Sequence, residues 1–382
     1  MKIVFPYIAQ PHQIPHSFPL AAELASRPGF DVHIACSTDA QETLVRRLAA
    51  LYPAARLTIH RLWVSWLARR LKHFFDEGLP PKGLVLISNR RYFSQFAAAI
   101  VPERTSLWLR KVRLASLKLV YTQHGPPGRA ITYAPDIRRF DFVMVPGVTQ
   151  AERFLREGLV RPGAYHTGCY PKFDLVSRLQ RAPLKLFAEA RPTVLYNPHF
   201  LDELSSWPTM GLQVLDFFAQ SPDYNLIFAP HIRLFDHQKT TLHAALDRYR
   251  SLPHIHIDTG SDRSIDMSYT EAADLYLGDV SSQVIEFLVR PRPCVFLKTH
   301  DVEWQQSPDY LFWHMGPVLQ SLSELPRALA EAQATHPQWR AAQQRYFSDC
   351  FSTRFDDQGR ADIGHSVVAG ADAIAAFLQR SV

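Results

Sequence analysis

The chain has 382 residues, 47% of them hydrophobic and 12% aromatic, which is too long for one average domain and apolar enough to bury two cores. A formal charge of +6 and a pI near 9.1 favour anionic partners such as nucleotides, phosphorylated substrates or a lipid surface, and do not choose among them. No run reaches the roughly 18 apolar residues of a membrane span, Met1-Lys2 leads into too short an apolar stretch for a secretory signal, and Cys36, Cys169, Cys294 and Cys350 lack zinc spacing. A cytoplasmic protein with reduced thiols is expected.

Residues 2–36 read as strand, Pro/His-rich loop, helix over Phe18 to Ser26, and second strand over Val32 to Cys36. This βαβ opening predicts a parallel sheet with its loops gathered at the carboxyl ends of the strands. The first loop carries His12 and His16, whose imidazoles titrate near neutrality and can serve as a base, or can simply be solvated or structural.

Arg61 to Phe75 predicts an amphipathic helix with Trp63, Trp66, Leu67, Leu71 and Phe74 on one face, flanked by Arg69, Arg70, Lys72 and His73. An aromatic stripe edged with cations suits a helix lying in an anionic membrane surface. The same pattern also suits a helix packed on the sheet with its cations in water. Between Arg61 and Lys118 there are 12 Lys+Arg against 3 Asp+Glu, a local excess of basic charge that marks a partner-binding region. A second basic-aromatic stretch, Leu107 to Arg113, lies within it.

Leu117 to Tyr121 reads as a buried strand ending in Thr122-Gln123-His124-Gly125, which places an imidazole at the mouth of the sheet. A strand over Phe142 to Val145 and the loop Thr167 to Asp174 complete the first half. The polar, proline-punctuated stretch Ser177 to Pro192 is the interdomain connection. From Thr193 the α/β rhythm repeats, with strands at Val194 to Phe200 and Asn225 to Arg233, a helix around Leu212 to Ala219 and another near Gln238 to Tyr249. His231 and Arg233 lie just past a strand end, a geometry suited to phosphate oxygens.

Ala272 to Leu297 then reads as strand, tight turn, helix and strand. Ser281 and Ser282 follow Asp279 and can cap a helix running through Val289, with its free N–H groups forming an anion site. Glu286, within about two turns of that start, can bind ribose hydroxyls while the serines hold phosphate. The alternative is an ordinary capped helix with a surface glutamate. Asp356 to Arg360 forms a loop ahead of a terminal helix from about Ile363.

In this order, His124-Gly125, Thr167-Gly168-Cys169-Tyr170-Pro171-Lys172-Phe173-Asp174, Val194-Leu195-Tyr196-Asn197-Pro198, Pro230-His231, Asp279-Val280-Ser281-Ser282 and Asp357-Gln358-Gly359-Arg360 resemble the motifs of the CDP-glycerol glycerophosphotransferase family, the teichoic-acid-type polymerases of the glycosyltransferase-B (GT-B) class. His12-Gln13-Ile14-Pro15 is similar to the first loop of many two-domain glycosyltransferases. The resemblance implies an α/β protein of two Rossmann-like domains facing a cleft. The acceptor and membrane side would lie in residues 1–180 and the nucleotide donor in 190–350, with a crossover helix in 351–382. It implies His124 as the base, His231 on donor phosphate, and Arg233, Asp279, Ser281, Ser282 and Glu286 on the donor. Glu286 is similar to the ribose-binding glutamate of UDP-GlcNAc 2-epimerases. His12 or His16 is the alternative base if the donor is a nucleotide-sugar.

The family pattern has a lysine near Pro230-His231 that this chain lacks; Arg233 is the expected substitute, and a related activated group is the alternative to glycerol. The resemblance further implies no metal and no cofactor beyond the nucleotide-activated donor. It implies a glycan or lipid-linked acceptor, and the basic-aromatic stretch adds an anionic membrane surface at the inner face of the cell membrane as the expected partner. No nucleic-acid partner is expected. A non-catalytic, membrane-bound nucleotide-binding protein is the remaining reading.

Overall fold

The computed structural model describes residues 1–71, 79–112, 114, 116–127, 130–235 and 239–380. Its first half is a seven-stranded sheet in the order β3-β2-β1-β4-β5-β6-β7. The strands are β1 Lys2–Tyr7, β2 Asp31–Cys36, β3 Leu57–Arg61, β4 Ala98–Val101, β5 Lys118–Tyr121, β6 Phe142–Val145 and β7 Tyr165–Thr167, and every pairing is parallel. The second half is a six-stranded sheet in the order β10-β9-β8-β11-β12-β13. It comprises β8 Thr193–Asn197, β9 Asn225–Phe228, β10 Ile255–Ile257, β11 Leu275–Gly278, β12 Cys294–Leu297 and β13 Val318–Leu319, again all parallel.

The central strands are short continuous apolar runs because helices cover both of their faces. Ile3, Val4 and Phe5 of β1 and Val194, Leu195 and Tyr196 of β8 are fully buried. In both sheets the order reverses beside the first strand, at β1/β4 and at β8/β11, and ligands of such sheets bind in the crevice outside the carboxyl ends at that point.

Two segments tie the halves together. The helix Ser366–Gln379 returns to the first sheet, where Val367, Ala371, Ile374 and Leu378 share a core with Leu20, Phe142 and Met144 and Phe377 stacks on Phe142 at 4.8 Å. Its amino end is fixed by Asp174, whose carboxylate accepts from Ser366 Oγ at 2.6 Å and from the Val367 N–H at 3.0 Å. The helix Pro337–Phe351 passes so close to the β6 loop that a Cβ on Gly147 would lie 2.4 Å from the Asp349 carbonyl oxygen. Only glycine admits that approach.

The expected helix over 61–75 is corrected. Arg61 ends β3, in register with Cys36 of β2, and the helix spans Trp66–Leu71, because pairing with a neighbouring strand overrides the local helical pattern. Ala68 is its buried residue, while Trp63 is 59% and Trp66 68% exposed, so the tryptophans do not pack on the sheet. Phe74, Lys72 and His73 lie outside the described residues, as do Arg113 and the Gln238 start of the expected 238–249 helix. Among the described residues no helix is long and apolar enough to cross a membrane.

Candidate active site

The loops at the facing carboxyl ends build one cleft, lined by His12 and His16 after β1, Gly125 after β5, Lys172 after β7, His231 after β9, and Ser281, Ser282 and Glu286 after β11. Residues that follow these five strands meet there because parallel strands deliver all their carboxyl ends to one side.

The imidazoles present different faces. Just before His124, Gln123 takes φ 63°, a left-handed conformation that is costly for a side chain with a Cβ and persists where the surroundings enforce it. Its buried amide donates to the Met144 carbonyl at 2.8 Å and accepts from Gln150 Nε2 at 2.9 Å. This anchored turn leaves His124 exposed, with Nδ1 2.5 Å from the Pro102 carbonyl oxygen. A carbonyl only accepts, so Nδ1 carries the proton, and in the neutral ring the lone pair sits on Nε2.

His231 has the opposite arrangement. Its Nδ1 accepts the Arg233 N–H at 3.2 Å, so in the neutral ring Nε2 is the donor. His16 Nδ1 likewise accepts the Gly125 N–H at 3.3 Å.

Burial pushes His12 down to about 3, and the nearby His231, His124, Lys172 and Arg233 push in the same direction. His16 is held well below the usual range, again by burial first and then by Lys172, His124 and His12. Both imidazoles are therefore neutral in the folded chain near neutral pH.

The floor of the cleft differs from the sequence expectation. Glu286, 3% exposed, is held by Lys172, 5% exposed. Lys172 Nζ lies 2.7 Å from each carboxylate oxygen, and Tyr170 Oη donates to Oε1 at 3.0 Å. Three of roughly four acceptor positions are therefore occupied, and Glu286 has room for one ribose hydroxyl unless a partner leaves.

Asp279 does not line the cleft. Its buried carboxylate accepts from the N–H of His199 at 2.9 Å and from the N–H and Oγ of Ser206 at 2.5 and 2.8 Å, which fixes the β8 loop, and burial raises its pKa to about 6. The expected capped helix is also corrected. It spans five residues, Gln283–Phe287, and its N-cap Ser282 already has helical backbone angles and makes no side-chain cap, while Ser281 Oγ donates to Asn197 Oδ1 at 2.6 Å. Ser281 and Ser282 still line the cleft, now as side chains on a turn. Arg233 lies over Phe200, 4.5 Å from the ring centre, and lines an adjoining groove instead of the histidine cleft.

Sequence reasoning quoted Tyr170 and Lys172 within a motif but gave them no role, and it missed His199. A lysine between Pro171 and Phe173 carried a signal, since a charge in so apolar a context needs a partner. His199, 2% exposed and 5.7 Å from His231 between ring centres, sits past a strand end, the same rule that singled out His124 and His231.

No family model matches the chain, and no curated protein matches it in sequence. Solved structures do match in three dimensions. The wall teichoic acid polymerase TagF superposes with a TM-score of 0.64 at 15% identity, covering 99% of this chain and 89% of that one. UDP-GlcNAc 2-epimerase from Neisseria meningitidis, bound to UDP-GlcNAc, gives 0.62 at 10% identity, covering 100% of both chains. A putative UDP-N-acetylglucosamine 2-epimerase from Listeria monocytogenes gives 0.64 at 12% identity, covering 99% of this chain and 97% of that one.

The fold is GT-B. The likeness to TagF supports the resemblance read from the motifs, and at these identities what it establishes is the architecture. In the GT-B frame, the histidine cleft occupies the crevice between the two sheets, and Lys172–Glu286 joins its walls across the floor.

Proposed function

We propose that this chain is a GT-B transferase of cell-surface polymer biosynthesis that moves glycerol phosphate, or a related group, from a CDP-activated donor onto a glycan or lipid-linked acceptor. The observation that carries this reading is the pair of opposed tautomers, His124 with its lone pair on Nε2 and His231 with its proton on Nε2.

His124 Nε2 takes the proton of the acceptor hydroxyl. The acceptor oxygen forms a bond to the phosphorus that bears glycerol, the bridging P–O bond to the nucleotide breaks, and CMP leaves with that electron pair. His231 Nε2–H and Ser282 donate to the departing phosphate oxygens, the kind of placed stabilisation that dominates phosphoryl transfer, and Ser281 joins them when its hydroxyl proton turns away from Asn197 Oδ1. Glu286 takes one ribose hydroxyl. Structures of TagF include one of a His-to-Asn variant soaked with CDPG and one of a His-to-Ala variant, which fits histidines as the groups of interest in a cleft of this shape.

We place the enzyme at the inner face of the membrane, held through Trp63, Trp66, Arg69 and Arg70, whose tryptophans are exposed beside cations. In the test, purified protein is given CDP-glycerol and membrane extract and released CMP is measured. Release that depends on His124 is expected, and no CMP with His124→Ala indistinguishable from the parent overturns the reading.

The second reading, a nucleotide-sugar glycosyltransferase with His12 as base, is favoured by His12 Nδ1 being buried without a hydrogen-bond partner. It predicts release of a nucleoside diphosphate. A base whose conjugate acid titrates near 3 accepts a proton poorly, which ranks it second.

A further inference from the structure

One stretch of the cleft wall, Ser264, Ile265 and Gln283 of the second domain, has no part in the transfer scheme. Gln283 stands one turn ahead of Glu286 on the helix Gln283–Phe287, and residues three apart on a helix share a face, about 5–6 Å apart between their Cβ atoms. A nucleotide with its ribose on Glu286 and its diphosphate on the serine turn has one group left to place, the base. The stretch is uncharged and mixes an apolar side chain with hydrogen-bonding ones, which suits a base and not a phosphate.

The amide of Gln283 has a definite orientation. Its Nε2 donates to the Ser264 carbonyl oxygen at 2.7 Å, and since a carbonyl only accepts, Oε1 is the end left for a ligand. The turn that carries Ser264 is braced from behind. The Asp258 carboxylate accepts from the N–H groups of Gly260 at 2.9 Å and Ser261 at 2.7 Å and from Tyr269 Oη at 2.6 Å, and Ser261 Oγ accepts the Arg263 N–H at 3.2 Å. Ser264 itself is 7% exposed, and its Oγ is buried without a hydrogen-bond partner among the described residues. A buried hydroxyl left in that condition costs folding free energy, which the polar edge of a ligand would offset.

Bases differ in what they present to a placed acceptor. Cytosine carries an exocyclic amine that donates, where uracil carries a carbonyl that accepts. Gln283 Oε1 therefore pairs with the first and repels the second. A hydroxyl both donates and accepts, so Ser264 Oγ serves the neighbouring ring nitrogen of either base and does not discriminate.

We propose that Gln283 is the base-selecting residue of this cleft, accepting at Oε1 from the exocyclic amine of cytosine, with Ser264 Oγ on the adjacent ring nitrogen and Ile265 against the ring. The assignment rests on the transfer reading in placing the donor's ribose on Glu286.

The test measures binding and needs no turnover. The full chain is titrated by calorimetry with CDP, with UDP, and with the diphosphate of the 2-pyrimidinone riboside, which is cytidine with hydrogen in place of the amine. CDP is expected to bind at least about tenfold more tightly than either of the others, the worth of one well-placed hydrogen bond. Gln283→Met keeps the length of the side chain without its acceptor, and should bring the three ligands within about threefold of one another by weakening CDP. Ser264→Ala should weaken CDP and UDP alike by about three- to tenfold and leave their ratio unchanged.

A glutamine that only braces the Ser264 turn would weaken CDP and UDP by the same factor when replaced, and that result overturns the proposal. So does UDP binding as tightly as CDP or more tightly. The pyrimidinone comparison requires no variant to fold, and affinity equal to that of CDP there also overturns it. A preference for CDP that collapses in Gln283→Met, without CMP release from CDP-glycerol, removes the transfer reading and leaves the base selection. CMP release with CDP and UDP bound equally removes the base selection and leaves the transfer reading.

Discussion

The floor of the cleft and the outer face of the first domain reverse the ordinary distribution of side chains. At the floor, a lysine and a glutamate lie 5% and 3% exposed, while on the outer face Trp63, Trp66 and Trp108 stand 59%, 68% and 39% exposed. Both arrangements cost folding free energy. The floor offsets much of its cost internally, since Lys172 reaches both oxygens of Glu286 and Tyr170 adds a third bond. The tryptophans have no such internal compensation and remain available to something outside the chain. A polar group fully engaged inside holds the machine together, whereas an apolar group left outside is available to a partner.

The largest effect is expected where neither rule applies, at His124, which is polar and exposed at the cleft mouth. His124→Ala should lower CMP release about a hundred- to ten-thousandfold, the usual contribution of a positioned base, with CDP affinity nearly unchanged by calorimetry.

Next comes Lys172→Met, which leaves Glu286 buried without its cation. Urea unfolding should show a loss of about 3–5 kcal/mol, partly recovered by adding Glu286→Gln. A loss below about 1 kcal/mol is what an exposed ion pair gives, and would erase the distinction between the two regions.

Asp279 sharpens it. Folding raises its pKa from 3.8 to about 6, so between those values the folded chain binds more protons than the unfolded one. The stability contributed is fully present below about pH 4 and is lost as pH rises through 6, by about 3 kcal/mol. Asp279→Asn should remove that slope. His12 acts in the opposite sense. Its folded pKa of about 3 lies below 6.5, so stability is lost as pH falls from 6.5 toward 3, and His12→Gln should flatten the acid limb of a stability profile.

The smallest effect on folding is expected from the double change Trp63→Ser and Trp66→Ser, within about 0.5 kcal/mol. The same variant should lose most of its binding to anionic vesicles in a flotation assay. Unchanged vesicle binding would leave those tryptophans without the partner proposed for them.

Much of the architecture was legible in the sequence. Val194 to Asn197 and Leu275 to Gly278 are apolar runs bounded by turn residues, and the alternation with helices dictates parallel sheets. The imidazoles at strand ends followed from topology alone. What escaped depends on residues distant in sequence. Glu286 reads as a ribose ligand because its pattern is local, yet its partner Lys172 is 114 positions away. Ser281 reads as a cap because nothing nearby announces Asn197. Arg61 reads as helical until β2 lies beside it. Local pattern identifies elements and loops, and long-range pairing decides what each polar atom does there.

The returning helix Ser366–Gln379 has a consequence for anyone who would cut this protein. Its apolar side fills the first sheet's core against Leu20, Phe142 and Met144, so the chain crosses between the halves twice and the first half is completed by residues that follow the whole of the second. Residues 1–180 expressed alone would expose that seam to water. A nascent chain on the ribosome passes through the same state, with the first sheet laid down early and left uncovered until Ser366–Gln379 emerges.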